Sequence, residues 1–185
     1  MSEISKVEKV KVLDLEFEIF LTAEQIQASV ENLGKQITQD YMGKKPVFIA
    51  ILNGSYVFMA DLLRQCKIPC EMTFVKLSSY DGLESTGKVA TQIGLSLDLK
   101  DRDVIIVEDI IDTGTTVHQF LKHVADLQPA SIRLAALLVK PEAIKHPVHT
   151  DYCGFEIPNR FVVGYGLDYN EEGRNLAAIY QLVEG

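Results

Sequence analysis

The stretch Val104–Thr116, VIIVEDIIDTGTT, carries the strongest signal in the chain for both fold and ligand. It opens with four β-branched apolar residues, and such a continuous apolar run predicts a strand buried on both faces of a parallel sheet. The acids Glu108, Asp109 and Asp112 follow, and then a glycine stands between threonines in TGTT. TGTT predicts a tight turn into a helix N-terminus, where free N–H groups and the positive end of the helix dipole favour a phosphate.

The three acids restrict what this site can bind. A phosphate beside three carboxylates would be repelled, so we expect the acids to face sugar hydroxyls or a divalent cation while only the turn faces phosphate. The stretch therefore predicts a phosphorylated sugar bound with a metal ion. The nucleotide-binding patterns GxxxxGK[ST] and GxGxxG after a strand are absent. An ordinary strand ending in a polar turn is the alternative, and it leaves costly carboxylates without a ligand.

The bulk composition argues against several classes of protein. With 185 residues, of which 47% are hydrophobic and 24% charged, the chain fits one globular domain. Its formal charge of −8 and its pI near 5.0 argue against a general binder of nucleic acids or membrane surfaces. No secretory signal is evident, and the three cysteines lack disulfide or zinc spacing, so we expect a cytoplasmic protein with reduced thiols.

Strand and helix patterns alternate along the chain, which predicts an α/β fold with a central parallel sheet flanked by helices. A capping box at Thr22–Gln25 predicts the start of a helix that runs to about Tyr41. The further predicted elements are strands at Val47–Leu52, Cys70–Ser78, 104–107 and Ile132–Val139, helices at Tyr56–Gln65 and Thr116–Leu127, one or two edge strands in the first twenty residues, and short β-type runs at Tyr152–Ile157 and Phe161–Leu167.

The predicted domain organisation is a single domain over residues 1–185. Its core spans about residues 22–150, and a small hood lobe is formed by the N-terminal strands and about residues 151–185. Ligands in parallel sheets bind beyond the carboxyl ends of the strands. The motifs Asn53–Ser55, Glu108–Thr116 and Lys140 each follow a predicted strand, so we expect them at one edge of the sheet.

Several segments together resemble the hypoxanthine-guanine phosphoribosyltransferases, a branch of the type I phosphoribosyltransferase family, from about Leu13 to Tyr180. The segments are LNGSYVFMADLL (52–63), KLSSYDGLESTG (76–87), VIIVEDIIDTGTT (104–116), LLVKP (137–141) and GFEIPNRFVVGYGLDYNEEGRNL (154–176). The resemblance implies the type I phosphoribosyltransferase fold. It also implies a Mg²⁺-dependent enzyme that binds 5-phosphoribosyl pyrophosphate (PRPP).

The resemblance assigns roles to the residues of the signature stretch. Glu108 and Asp109 would hold the ribose hydroxyls and a Mg²⁺ ion. The 5′-phosphate loop would consist of Asp112, Thr113, Gly114, Thr115 and Thr116. Asp112 is in addition the candidate catalytic acid/base at purine N7.

The remaining roles fall on other segments. Residues of the pyrophosphate site would be Leu52, Asn53, Gly54 and Arg174, and residues of the mobile lid loop would be Ser79 and Tyr80. On the purine side, Lys140 would donate to the exocyclic O6, Phe161 would stack on the base, the backbone of Val162 would read its edge, and Asp168 would bind a second Mg²⁺. Many relatives have Lys or Arg where this chain has Asn53, so the pyrophosphate contact here would depend on backbone N–H groups.

The implied reaction is purine salvage. The 5-phosphoribosyl group of PRPP would pass to N9 of hypoxanthine or guanine, giving IMP or GMP and pyrophosphate, in a homodimer or homotetramer without nucleic-acid or membrane partners. A xanthine-preferring enzyme of the same family is one alternative. A PRPP-sensing regulator is another, but the charge of −8 and the lack of a basic run argue against it.

Overall fold

A computed structural model gives the structure of the protein and describes residues 8–78, 90–93, 95 and 97–183. Its elements in chain order are β1 (Lys9–Val12), β2 (Leu15–Leu21), α1 (Ala23–Asp40), β3 (Val47–Leu52), α2 (Tyr56–Gln65), β4 (Glu71–Ser78), β5 (Ala90–Ile93), β6 (Asp103–Ile111), α3 (Thr115–Asp126), β7 (Ser131–Val139), a 3₁₀ turn (Pro141–Ala143), β8 (Tyr152–Glu156), β9 (Val162–Val163) and β10 (Ile179–Leu182). In this described part of the chain, no helix is long and apolar enough to cross a membrane.

The core is a six-stranded sheet in the order β5-β4-β3-β6-β7-β8, parallel except for β5. Along β6, Ile105 and Val107 belong to the apolar cluster shared with α1 and α2. The alternate residues Val104 and Ile106 belong to the cluster shared with α3. Both faces of the sheet are therefore covered, which explains the unbroken apolar runs and confirms the predicted parallel sheet flanked by helices.

A second, smaller sheet lies apart from the core sheet, in the antiparallel order β1-β2-β10-β9. We call this sheet, together with the segment 164–178 between β9 and β10, the hood. Its buried centre includes Phe17, Val163 and Tyr180. β8 lies beyond residue 150 but joins the core sheet, and the domain boundary near that residue stays a prediction.

The signature strand is longer than its apolar run. β6 continues through Glu108 and Asp109 to Ile111, because its ladder with β7 extends to the pair Ile111–Val139. On its other side, the ladder with β3 ends at the pair Ala50–Val107. The two strands therefore separate where the acids begin, and this opening at the carboxyl edge of the sheet accommodates them.

The β-type run predicted at Phe161–Leu167 is mostly not a strand. Only Val162–Val163 is a strand, and the chain then turns between Gly164 and Leu167. Gly164, Tyr165 and Gly166 have positive φ angles of 102°, 51° and 101°. Such angles are easy for glycine and break an extended strand, so the prediction was wrong over this part. The capping box of α1 is confirmed, with both reciprocal bonds between Thr22 and Gln25 present.

Candidate active site

The acids of β6 lie in a setting that disfavours their charge. The Glu108 side chain is buried, and no group among the described residues forms a hydrogen bond with its Oε2. Burial raises the pKa of Glu108 well above its ordinary value, and the neighbouring Asp109 raises it further. Burial also raises the pKa of Asp109 to about 6, although the N–H of Ile110 donates to its Oδ1 at 2.9 Å.

This acid pair fits a divalent cation. Carboxylate oxygens are the ligands that Mg²⁺ and Ca²⁺ prefer, and a cation would relieve the cost of one buried and one half-buried negative charge. Across the residues that the structure describes, no group of three or more His, Cys, Asp or Glu side chains is placed to hold a metal alone. A cation bound here would therefore take its other ligands from a substrate or from water, as Mg²⁺ commonly does.

The predicted 5′-phosphate loop, residues 112–116, follows the acid pair directly and leads into α3. Gly114 is the N-cap of this helix with a φ of 75°, and the hydroxyls of Thr113 and Thr115 are 3.0 Å apart. A cavity of about 100 Å³ is lined by Glu108, the segment 110–116 and Val117. All five residues predicted for the 5′-phosphate loop therefore line one small cavity at a helix N-terminus, which is a favourable place for an anion.

A neighbouring loop supports the turn from behind. The backbone N–H groups of Lys145 and His146 both donate to the carbonyl oxygen of Thr113, at 3.0 and 3.2 Å. A Cβ at Gly114 would meet the carbonyl oxygen of His146 at 2.8 Å, so only glycine fits there. The sequence did not predict this support, because the backbone donors of residues 145 and 146 leave no side-chain pattern.

The segment Leu52–Gly54 lies against the acids from the neighbouring strand. The Leu52–Asn53 peptide is cis. A Cβ at Gly54 would lie 1.5 Å from Asp109 Oδ2, so this position also requires glycine. The hydroxyl of Ser55 donates to the carbonyl oxygen of Ile51 at 2.5 Å. The structure thus brings the predicted pyrophosphate loop into contact with the predicted ribose-binding acid.

Lys140 lies at the carboxyl end of β7, where its Nζ donates to Asp112 Oδ2 at 3.1 Å. Its side chain is only 7% exposed, whereas that of Asp112 is 51% exposed. The two residues predicted to act on different atoms of one purine are therefore neighbours, 28 positions apart in the sequence. A buried cation with one carboxylate partner can form further hydrogen bonds to a bound carbonyl, because an ammonium has three donors.

Val162 begins β9 of the hood, and Phe161 directly precedes it. The Phe161 ring is 44% exposed, a high value for a large apolar side chain. Its centroid lies 6.0 Å from that of the buried Phe17 and 5.9 Å from that of Tyr169, which it meets edge to face. These contacts fix the ring while leaving surface free for a planar ligand.

Arg174 and Asp168 form an ion pair with an N–O distance of 2.9 Å. Arg174 also donates to Glu171, a carboxylate that the sequence analysis did not single out although it lies three residues away. Both members of the pair influence the acids of β6, because Arg174 lowers the pKa of Asp109 and Asp168 raises it. The hood charges and the acid pair therefore belong to one electrostatic environment.

The structure brings most of the predicted residues to one edge of the core sheet. The predicted residues Val162, Asp168 and Arg174 belong to the hood, and Phe161 directly precedes β9. The predicted lid residues Ser79 and Tyr80 lie outside the described residues. A further cavity of about 510 Å³ lies beside this region and is lined in part by Tyr56, Tyr165 and Arg174.

Comparisons with known proteins agree with this geometry. A family model described as the phosphoribosyl transferase domain matches residues 18–170. The chain is 42% identical over 167 residues to a hypoxanthine-guanine phosphoribosyltransferase of Streptococcus pneumoniae, covering 90% of this chain and 93% of the relative. It is 40% identical to a crystal structure of a hypoxanthine-guanine phosphoribosyltransferase from Bacillus anthracis, with a TM-score of 0.85 and coverage of 89% and 98%. A hypoxanthine phosphoribosyltransferase structure from Staphylococcus aureus is 41% identical, with a TM-score of 0.85 and coverage of 90% and 91%.

Proposed function

Because the chain belongs to the hypoxanthine-guanine phosphoribosyltransferase family, we propose that it transfers the 5-phosphoribosyl group of PRPP to N9 of hypoxanthine or guanine. IMP or GMP and pyrophosphate are the products, and the pathway is purine salvage. The observation that carries this proposal is the acid pair Glu108–Asp109, whose Glu108 side chain is buried, beside a phosphate-sized cavity at the start of α3. A ribose that carries a 5′-phosphate on one side and a pyrophosphate on the other matches both features.

The sugar is proposed to bind along the end of β6. Glu108 and Asp109 accept hydrogen bonds from the ribose hydroxyls, and the turn at Asp112–Thr116 holds the 5′-phosphate with its N–H groups and threonine hydroxyls. The raised pKa values of the acids support this role, because a ligand that brings donors or a cation returns them to their charged form.

Glu108 and Asp109 are the residues that would hold a Mg²⁺ ion shared with the substrate, and Asp168 would hold a second one. When bound, these ions would supply charge neutralisation for the pyrophosphate as it leaves. The protein adds the guanidinium of Arg174 and the backbone of Leu52–Gly54 on the same side.

The purine is proposed to lie between Phe161 and the end of β7. Phe161 stacks on the ring, Lys140 donates to O6, and the backbone of Val162 reads the edge of the base. Asp112 accepts the proton from N7 as the bond between N9 and C1′ forms. The bond from C1′ to pyrophosphate breaks with its electron pair on the leaving oxygen, and attack from the opposite side inverts C1′. Such general-base assistance contributes roughly 10²–10⁴-fold.

Three further expectations complete the proposal. Ser79 and Tyr80 belong to a loop that closes over the reacting centre, because oxocarbenium character at C1′ must be protected from water. The domain comprises residues 1–185, with the hood covering the base. The enzyme works in the cytoplasm as a homodimer or homotetramer.

The deciding experiment measures product formation from PRPP with hypoxanthine, guanine, xanthine or adenine, each with and without Mg²⁺. We expect metal-dependent IMP and GMP formation and little product from adenine. Faster turnover of xanthine than of the other two bases would make the protein a xanthine-preferring enzyme. PRPP binding without product from any purine would refute the enzymatic proposal in favour of a PRPP sensor.

The O6 contact can be tested by Lys140→Met, which keeps the length of the buried side chain but removes its charge. The ratio of kcat/KM for hypoxanthine to that for adenine is expected to fall by about 10-fold or more, because a hydrogen bond from a charged donor contributes about 1.5–3 kcal/mol. Lys122→Met, on the exposed face of α3, is the matched control and should leave the ratio unchanged. A parallel loss with both bases would contradict the contact.

A further inference from the structure

A hydrogen bond between Tyr165 and Asp61 ties the hood to the helix that follows the pyrophosphate loop. The hydroxyl of Tyr165 donates to Asp61 Oδ2 at 2.7 Å. The Tyr165 side chain is 7% exposed, and Asp61 lies on α2, which begins two residues after Gly54. Among the described residues, the other oxygen of Asp61 has only a long, exposed contact with Arg64 at 3.5 Å. Tyr165 is therefore the main partner of this carboxylate.

The turn that carries Tyr165 rests directly on the pyrophosphate loop. A Cβ at Gly166 would lie 2.1 Å from the carbonyl oxygen of Gly54, so the two backbones are in close contact without room for a side chain. Tyr165 has a φ of 51°, which is unfavourable for a residue with a side chain. A buried ring and a hydrogen bond on α2 supply the contacts that hold this conformation.

The same turn also fixes the charged residues of the hood. The N–H of Gly166 donates to the carbonyl oxygen of Arg174 at 2.9 Å, and the guanidinium of Arg174 donates back to the carbonyl oxygen of Gly166 at 2.9 Å. Arg174 in turn pairs with Asp168. A displacement of Gly166 would therefore have two effects at once. It would move Arg174, and it would change the distance between the hood and Gly54.

We propose that Tyr165 and Asp61 are positioning residues for the pyrophosphate side of the site. Their hydrogen bond fixes the backbone contact between Gly166 and Gly54, and this contact positions Arg174 and the pyrophosphate loop around the substrate. This inference rests on the proposed function, and it assigns a selective effect on PRPP to a buried phenol that pairs with α2.

The test uses Tyr165→Phe, which keeps the ring and removes only the hydroxyl. The KM for PRPP is expected to rise by about 10-fold, the equivalent of one hydrogen bond to a charged group, while the KM for hypoxanthine stays unchanged. Asp61→Ala should have the same effect, and the double variant should be no worse than either single one, because both remove one interaction. Asp61→Asn keeps an acceptor oxygen and should restore most of the affinity for PRPP.

Tyr180→Phe is the matched control. This tyrosine is also buried in the hood, and its hydroxyl donates to a carboxylate, Glu8, at 2.9 Å, but it belongs to β10 rather than to the turn on Gly54. The variant should leave the KM for PRPP unchanged. A rise equal to that of Tyr165→Phe would mean that any loosening of the hood weakens PRPP binding, and the proposal would be overturned.

Amide hydrogen exchange of the ligand-free protein separates this inference from the proposed function. Tyr165→Phe should speed exchange at residues 53–57 and 164–167 but not in α3. Unchanged exchange there, or faster exchange with an unchanged KM for PRPP, would overturn the positioning role. If the wild-type protein makes no nucleotide, the proposed function fails. The exchange data alone then decide whether the Tyr165–Asp61 hydrogen bond holds the hood against the pyrophosphate loop.

Discussion

Polar clusters occupy both ends of the core sheet, and the two ends differ in how their charges are partnered. At the amino end, Arg133 on β7 donates to Asp40 at the end of α1 and to the hydroxyl of Tyr152 on β8. That hydroxyl donates to Asp40 at 2.7 Å, and the guanidinium lies over the Tyr152 ring at 5.7 Å. At the carboxyl end, Glu108 and Asp109 lie side by side, and the nearby cations of the described residues pair with other acids, Lys140 with Asp112 and Arg174 with Asp168.

The pKa values express this difference. The hydrogen bond from Tyr152 and the pairing with Arg133 lower the pKa of Asp40. Burial raises the pKa of Asp109 to about 6 and raises that of Glu108 further above its ordinary range. The amino end therefore gains stability from its charges, whereas the carboxyl end loses stability to hold two acids.

The contrast indicates which end awaits a ligand. The amino end also has a buried hydroxyl, that of Tyr41, that forms no hydrogen bond within the described part of the chain, but a neutral hydroxyl is far less costly to leave unpaired than a carboxylate. Acids kept buried at a cost to folding are typical of sites where a ligand completes the interactions.

The largest effect is expected from Asp112→Asn at the carboxyl end. Turnover should fall by roughly 10²–10⁴-fold, because the amide cannot accept the proton from the purine. PRPP binding should persist, since the N–H groups of the turn remain. Steady-state kinetics and PRPP titration measure the two effects. Asp126→Asn, at the exposed far end of α3, is the control; near-normal turnover of Asp112→Asn would contradict the base assignment.

The same substitution at the two ends should change stability in opposite directions. Asp109→Asn in the metal-free protein at pH 7.5 is expected to raise the free energy of unfolding by up to about 3 kcal/mol, because each pKa unit corresponds to about 1.36 kcal/mol. Asp40→Asn should lower it by about 1 kcal/mol, since its pair is partly exposed. Urea denaturation measures both. A loss of stability in Asp109→Asn would show that the acid pair is not strained.

The smallest effect is the pH dependence of these two differences. The folded-state pKa of Asp109 is raised from 3.8 to about 6, so its ionisation costs stability progressively between these values. The gain in the free energy of unfolding from Asp109→Asn should therefore grow as the pH rises through this range and stay constant above it. The folded-state pKa of Asp40 is lowered. The loss in the free energy of unfolding from Asp40→Asn should therefore be constant at neutral pH and disappear on acidification below about 4. If the stability changes of the two variants had the same pH dependence, the proposed difference between the two ends of the sheet would be contradicted.

Local patterns predicted much of the fold. The capping box gave the start of α1, and the apolar runs gave β3 and β7 to within about a residue. The pattern failed at Phe161–Leu167, where apolar residues alternate with glycines that turn the chain. The apolar run also predicted too early an end for β6, because the pairing of Ile111 with Val139 depends on a strand 28 residues away.

The α/β class, the parallel sheet and the chemical types of residue at its carboxyl edge follow from the amino-acid sequence, because apolar periodicity and strand-end acids are local properties of the chain. The contacts between distant residues follow from the folded arrangement: Lys140 with Asp112, Gly54 with Asp109, and Tyr165 with Asp61. These contacts join residues between 28 and 104 positions apart. They depend on strand order and backbone clearance, which no local pattern encodes.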